Sequence, residues 1–335
     1  MVNSNTFGID LGTSNIKIYS YADDTILVEK NIIAIEGKKN IFAYGDSAYE
    51  MYEKAPSNIT ISFPLSNGVI ADIKNMETLV HFFVNDLCRN NIKPSDYYIT
   101  VPTDVTEVEK RAFYDLVKEA DVKARHIWVV EKAIADGLGM NIDVKNAQGV
   151  LVVDVGYDTT EISILSLGGI VRSSLIKVGG YKFDEAIISA TRKQFNLVIG
   201  QKTAESVKNS LKELEEKGQD AVVFGRDLVS GLPVERALPT KTVCEAMSDQ
   251  FRTIIDAVKL ILELTPPELS ADIYKHGIYL TGGASQTSHL SSLLSKSTGL
   301  KINESEYPVT SVALGLATIM KDDNFKSVAY SIEGK

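Results

Sequence analysis

Cysteine is scarce in this sequence: Cys88 and Cys244 are the only two among 335 residues. Two distant thiols exclude a small disulfide-stapled fold and point to a reducing compartment. Basic charge is short as well, with 35 Lys and Arg against 44 Asp and Glu and a net charge of −9. That balance excludes a general nucleic-acid coat, which needs a basic footprint. No apolar run reaches the ~20 residues of a bilayer span. The opening Met1-Val2-Asn3-Ser4-Asn5 has neither the basic start nor the apolar core of a signal peptide. The default expectation is a cytoplasmic protein. His81, His126, His276 and His289 include no pair at metal-ligand spacing, which argues against a structural zinc site. What remains is ordinary globular material, 44% apolar and 24% charged. It is enough for two domains or lobes at ~150 residues each.

The chain reads as alternating α and β. Phe7 to Asp10 is a short strand closed by a glycine turn, and Asn15 to Tyr21 is its return strand. Ile70 to Leu87 has helical spacing, with Val80, Phe83, Val84 and Leu87 as buried candidates. A strand over 97–101, an amphipathic helix over 104–119, a strand over 126–130 and a helix near 133–140 follow. The polar, turn-rich segment 142–148 marks a lobe boundary. The opening pattern then returns: Val150 to Asp154, a turn at Gly156, a return strand from Thr160 to Leu167. Asp10 and Asp154 hold equivalent places, as in a duplicated α/β unit. Later segments predict a helix from Thr203 to Lys217 capped by Thr203. One long helix is expected from Val243 to Leu264, and a final one from near Pro308 to Met320.

Three glycine-bearing turns carry candidate chemistry. In Asp10-Leu11-Gly12-Thr13-Ser14-Asn15 a strand delivers a carboxylate to a crevice, and Gly12 permits a tight turn. Thr13, Ser14 and Asn15 offer donors that can cradle phosphate oxygens. Asp10 could hold magnesium, directly or through water, with Asp154 as a second acid acting through water. Alone, the segment reads more readily as an ordinary turn. Asp154-Val155-Gly156-Tyr157-Asp158-Thr159-Thr160 supplies a second acid and more hydroxyls. Two such loops could enclose a polyphosphate, although a carboxylate at Asp158 beside phosphates costs Coulomb energy, and Tyr157 limits backbone approach. Gly282-Gly283-Ala284-Ser285 follows a strand and could meet a phosphate or pack under a nucleoside. Glu205 and Lys208 share a helix face and could enclose a ribose, or form a surface pair. Glu131 stands after a strand, where a carboxylate could orient an attacking water or simply satisfy a helix start.

Together these segments resemble the bacterial actin-like cell-shape family MreB, within the actin, Hsp70 and sugar-kinase superfamily. The resemblance runs from about Phe7 to Met320. It rests on the collinear order of Gly8-Ile9-Asp10-Leu11-Gly12-Thr13, Asn67-Gly68-Val69-Ile70-Ala71-Asp72, and Val101-Pro102 with Val105-Thr106-Glu107-Val108-Glu109-Lys110-Arg111. Val178-Gly179-Gly180 with Asp184-Glu185-Ala186-Ile187, Lys202-Thr203-Ala204-Glu205, Gly231-Leu232-Pro233, Thr265-Pro266-Pro267-Glu268-Leu269 and Gly277 to Gly283 continue it.

The resemblance implies an α/β, actin-like fold: two duplicated ribonuclease-H-like lobes around a central nucleotide cleft. Lobe I would span 1–143, with a small subdomain at about 33–66 and the helix 308–321 packing back on it. Lobe II would span 144–335, with a small subdomain at about 181–242. The implied ligand is ATP or ADP with Mg2+, the metal lying between Asp10 and Asp154. Asp10, Gly12, Thr13, Ser14 and Asn15 would form the first phosphate loop, and Asp154, Gly156, Thr159 and Thr160 the second. Gly180, Glu205, Lys208, Gly282, Gly283 and Ala284 would complete the nucleotide site. Glu131, with Thr160, would serve hydrolysis.

The implied function is a cytoskeletal filament protein of cell shape or motility. It would assemble with itself into double protofilaments, or with related filament proteins, and act at the inner face of the membrane. Several residues depart from the family pattern. Tyr157 and Asp158 replace glycines of the second loop, Lys132 follows Glu131 where proline is usual, and Ala284 and Ile16 are milder changes. These predict slow or impaired hydrolysis, with a nucleotide-dead structural subunit as one alternative and a small-molecule kinase as another. Met1 to Thr6 is too short and polar for an amphipathic anchor, and Arg89 to Pro94 offers one strong apolar residue, Ile92. Membrane association is therefore expected to be weak or indirect.

Overall fold

Two five-stranded sheets carry the architecture, and each grows from one apolar hairpin. The computed structural model describes residues 5–37 and 40–332, so the expectation for Met1–Ser4 lies outside the described residues. In the first sheet the buried strand Thr6–Leu11 turns back into Asn15–Ser20, with Thr25–Lys30 beyond it. Ser95–Val101 and Ala124–Glu131 extend the other side in parallel. In the second sheet Val150–Val155 turns back into Thr160–Ser166, with Gly169–Ile176 beyond, and Ile278–Thr281 and Ile302–Glu304 extend it in parallel. The strand order is the same in both. Asp10 is paired across its hairpin with Lys17, and Asp154 with Glu161. The duplication expected around the two aspartates is thus present as structure.

Parallel neighbours need crossovers, and amphipathic helices supply them. Ile73–Leu87 starts where the Asp72 carboxylate accepts the Asn75 N–H, and it buries Met76, Leu79, Val80, Phe83 and Val84. Glu107–Glu119 starts with a reciprocal Thr106–Glu109 capping box, which satisfies two otherwise orphaned donors.

Two helices differ from expectation. The segment Val243 to Leu264 is divided into Thr240–Ala246 and Ser248–Glu263 at the fully buried Met247. The apolar periodicity continues through the break, so spacing alone does not reveal it. The helix expected from Thr203 instead runs Gln201–Lys217, with Gly200 at its N-cap. Its first N–H, of Gln201, donates 3.0 Å to the Glu53 carboxylate from the small sheet region of the other lobe. A long-range carboxylate does the capping that Thr203 was expected to do. The last long helix is Ser311–Lys321, which leaves Pro308 just outside it.

Each sheet has its own apolar core, and a third cluster joins them. That cluster combines Tyr19 and Tyr98 of the first sheet with Val150, Val152 and Leu165 of the second. Between them lie the helices Lys132–Gly139 and Ser311–Lys321. These two helices cross at backbone contact. A Cβ on Gly139 would lie 1.8 Å from the Ser311 carbonyl oxygen, and one on Gly315 1.8 Å from that of Ala135. No larger residue fits at that crossing, which forms the apolar joint between the lobes.

Candidate functional site

The two hairpin turns face each other across one cavity of about 430 Å3. Asp10 and Asp154, each the penultimate residue of its strand, lie in its walls. The turns close alike: the Gly12 N–H donates to the Asn15 carbonyl at 3.1 Å, and the Gly156 N–H to the Thr159 carbonyl at 2.9 Å. A Cβ at Gly12 would sit 2.7 Å from that carbonyl, which explains the glycine. Asn31 fixes the first turn from beneath. Its N–H donates to the Ser14 carbonyl at 2.9 Å and its side-chain amide to the Gly12 carbonyl at 3.0 Å.

Every residue assigned to binding from the sequence, except Thr160, lines this cavity. Gly282 closes one corner with φ of +89°, and a Cβ there would lie 2.1 Å from an Asp154 oxygen. Only glycine is compatible with both the left-handed backbone and the close approach. Gly282 through Ala284 leave the strand Ile278–Thr281 into a short 3-10 turn, Gly283–Gln286.

Glu205 and Lys208 do not pair with each other. Glu205 accepts from the Tyr49 hydroxyl at 2.7 Å, across the mouth of the cleft, and Lys30 lies 4.0 Å from it. Lys208 sits 2.7 Å from Asp184 and donates to the Gly180 carbonyl at 3.3 Å. Burial pushes Asp184 up to about 6, against the lowering effect of Lys208.

The replaced glycines of the second loop are also settled. Asp158 turns out of the cavity and accepts the Asn67 N–H of the other lobe at 2.8 Å, so its charge does not face the cavity. Tyr157 does line the cavity, edge-on to Tyr181 at 5.7 Å.

The two residues given hydrolytic roles are not brought to the cavity wall. Glu131 accepts from Lys110 at 2.9 Å and from the Tyr330 hydroxyl at 2.9 Å. Thr160 is fully buried, and its hydroxyl donates to the Val178 carbonyl at 2.7 Å. At position 131 the strand Ala124–Glu131 gives way to the helix Lys132–Gly139, and Glu131 is engaged by Lys110 and Tyr330 on the side away from the cavity. It is Lys132 that enters the cleft.

Lys132 is the residue that sequence reasoning left at the margin. Its Nζ lies 2.5 Å from an Asp154 oxygen and 2.9 Å from a Glu161 oxygen. Burial works against its charge, yet Asp154, Glu161 and Asp10 together hold the ammonium well above its usual range. Lys17 lies 3.0 Å from Asp10, which also accepts from the Thr100 hydroxyl at 3.2 Å. Burial alone would raise Asp10, but Lys17, Lys132 and these bonds outweigh it and hold the carboxyl below its ordinary range. Deeper in, burial and the Asp154 charge push Asp136 well above the carboxylate range, and the Ser311 hydroxyl donates to it at 2.7 Å. Hairpin register could have found Lys17, which stands opposite Asp10 on the same face. Lys132 had only its departure from the family pattern as a signal.

This donor set does not fit a magnesium ion coordinated directly by Asp10 and Asp154. Magnesium takes about six oxygens in a tight octahedron. Here each aspartate already carries an ammonium at ion-pair distance.

The family model described as MreB/Mbl protein matches residues 4–327. The cell shape-determining protein MreB of Escherichia coli K12 is 35% identical over 321 residues, covering 93% of this chain and 92% of that protein. The cell shape-determining protein Mbl of Bacillus subtilis is 35% identical over 320 residues, covering 93% and 95%. Among solved structures, MreB5 of Spiroplasma citri bound to ADP superposes with a TM-score of 0.90 at 31% identity, covering 97% of this chain and 98% of that one. A chain of the MamK double helical filament, 20% identical with a TM-score of 0.79, shares the fold.

Proposed function

This chain belongs to the MreB/Mbl family of bacterial actin-like cell-shape proteins, and from that premise we propose that it binds an adenine nucleotide between its lobes and assembles with itself into filaments. The observation that carries the reading is the pair of matched turns, Gly12 to Asn15 and Gly156 to Thr159, aimed into one cavity from the two sheets. Backbone and hydroxyl donors there suit phosphate oxygens. Glu205, Lys208 and Gly282 to Ala284 suit the nucleoside. The Spiroplasma citri relative is described with ADP and with AMPPNP, which supports the ligand class. We place the lobes at 1–143 and 144–335, with the joint at the two crossed helices. The small subdomains lie at about 33–66 and 181–242.

Hydrolysis is slow in this reading. Phosphoryl transfer to water needs a positioned group at the attack line, and the Glu131 carboxylate is engaged by Lys110 and Tyr330 instead. Occupancy then acts through lobe closure more than through turnover. Self-association is favoured by exposed apolar side chains Val222, Phe224, Val229 and Leu232 in one subdomain. Paired protofilaments and co-assembly with related filament proteins are the arrangements to look for. Membrane attachment is weak or indirect. Ile92, the strong apolar residue of the 89–94 loop, is buried, and among the described residues no helix is long and apolar enough to cross a membrane.

The test is electron microscopy with ATP, with ADP and without nucleotide, with phosphate release followed in parallel. Filaments that depend on nucleotide, with little phosphate released, are expected. Identical polymer in all three samples would contradict the reading.

A further inference from the structure

We propose that Lys132 and Lys17 take the place of a divalent cation, so that this cleft binds metal-free nucleoside di- or triphosphate. The inference rests on the nucleotide reading above and goes beyond it by naming the form of the ligand.

The geometry is that of a built site. The Lys132 ammonium bridges Asp154 at 2.5 Å and Glu161 at 2.9 Å, and both acids are buried. Glu161 is itself fixed from the other lobe, since it accepts the Thr103 N–H at 2.9 Å and the Thr103 hydroxyl at 3.0 Å. Lys132 is therefore held between two buried carboxylates, one of them anchored by Thr103. Lys17 repeats the arrangement on the opposite wall, 3.0 Å from Asp10. Both lysines still line the cavity.

Charge and stoichiometry agree with the substitution. Two ammoniums bring the charge of one divalent ion to the same pair of aspartates. An ammonium has three N–H donors. Asp154 and Glu161 take two from Lys132, which leaves one for a phosphate oxygen. A magnesium ion coordinated directly here would have to separate two ion pairs, and one held through its own waters would face two ammoniums already seated on the aspartates. The tethered cation meets neither obstacle.

The test is equilibrium binding of a fluorescent ADP analogue to the full chain, once with excess Mg2+ and once with EDTA. The wild type is expected to bind within about threefold in the two buffers. A loss of about tenfold or more in EDTA overturns the inference while leaving the nucleotide reading intact. No binding in either buffer overturns both. Lys132→Met keeps the stem and removes the charge. It is expected to lose at least about tenfold in EDTA and to regain affinity with Mg2+, because Asp154 and Glu161 are freed to hold an ion. Unchanged affinity of this variant in EDTA would refute the role of Lys132. Mn2+ titration followed by electron paramagnetic resonance gives a second readout without nucleotide. The variant should bind the ion more tightly than the wild type, and equal binding would count against the substitution.

Discussion

At the scale of single residues, the cleft is set by charges whose partners lie far away in the chain. Asp184 ordinarily titrates at 3.8 and here at about 6, with burial the largest cause and Lys208 opposing it. The folded state thus holds this proton more tightly than the unfolded one. Stability falls as pH rises through the window between those values, by about 3 kcal/mol in all, and is flat above it. Asp184→Asn has no such titration. Urea unfolding of both proteins across that window should show the wild type losing stability relative to the variant as pH rises; parallel pH profiles would contradict the assignment. Asn31 is a second case. Its side-chain amide is one of two bonds shaping the first phosphate loop. Asn31→Ala should cost about 1–3 kcal/mol, seen as a lower urea midpoint with an unchanged slope. The aspartates and glycines that line the cavity were legible from strand ends and turn chemistry. Lys132 and Glu161 were not, because their roles depend on which lobe faces which, nor was Asn31, whose contact with the Gly12 turn joins residues 19 apart. Glu131 was legible as a strand-end acid, but its engagement by Lys110 and Tyr330 was not, because both partners are distant in the chain.

At the scale of elements, the repeated hairpins were legible because β-branched runs and glycine turns are local signals. Asp10 and Asp154 mark equivalent strands in the sequence itself. The break at Met247 was hidden because the apolar face continues through it, and the start at Gln201 because its cap, Glu53, comes from another subdomain. The crossing of Lys132–Gly139 with Ser311–Lys321 was also invisible, since a glycine inside a helix pattern does not announce what it touches. It makes a sharp prediction. Gly315→Ala and Gly139→Ala each force a Cβ to within 1.8 Å of a backbone oxygen, so the helices must move apart. Each should cost about 3 kcal/mol or more, read as a clear drop in melting temperature. Gly169→Ala, whose Cβ would meet nothing nearer than 3.9 Å, should leave that temperature nearly unchanged. Equal melting of all three variants and the wild type would show that the crossing is not tight.

At the scale of the whole molecule, two lobes meet at that joint and are bridged again at the opposite mouth. The Tyr49 hydroxyl donates to Glu205 at 2.7 Å, Lys202 donates to the Tyr49 carbonyl, and Glu53 caps the helix that carries Glu205. A hydrogen bond to a charged group contributes about 1.5–3 kcal/mol. Tyr49→Phe should therefore speed release of a fluorescent nucleotide by roughly tenfold or more; an unchanged chase rate would remove the clasp from the account. Family and architecture were readable from collinear motifs, while closure is a property of the folded pair of lobes. In the proposed function one nucleotide is gripped from both sides. Hydrogen exchange with and without ATP tests it most directly. The account predicts that amides of 10–15, 154–160 and 282–286 gain protection together on adding ATP, and no change in protection at any of these three loops would contradict it.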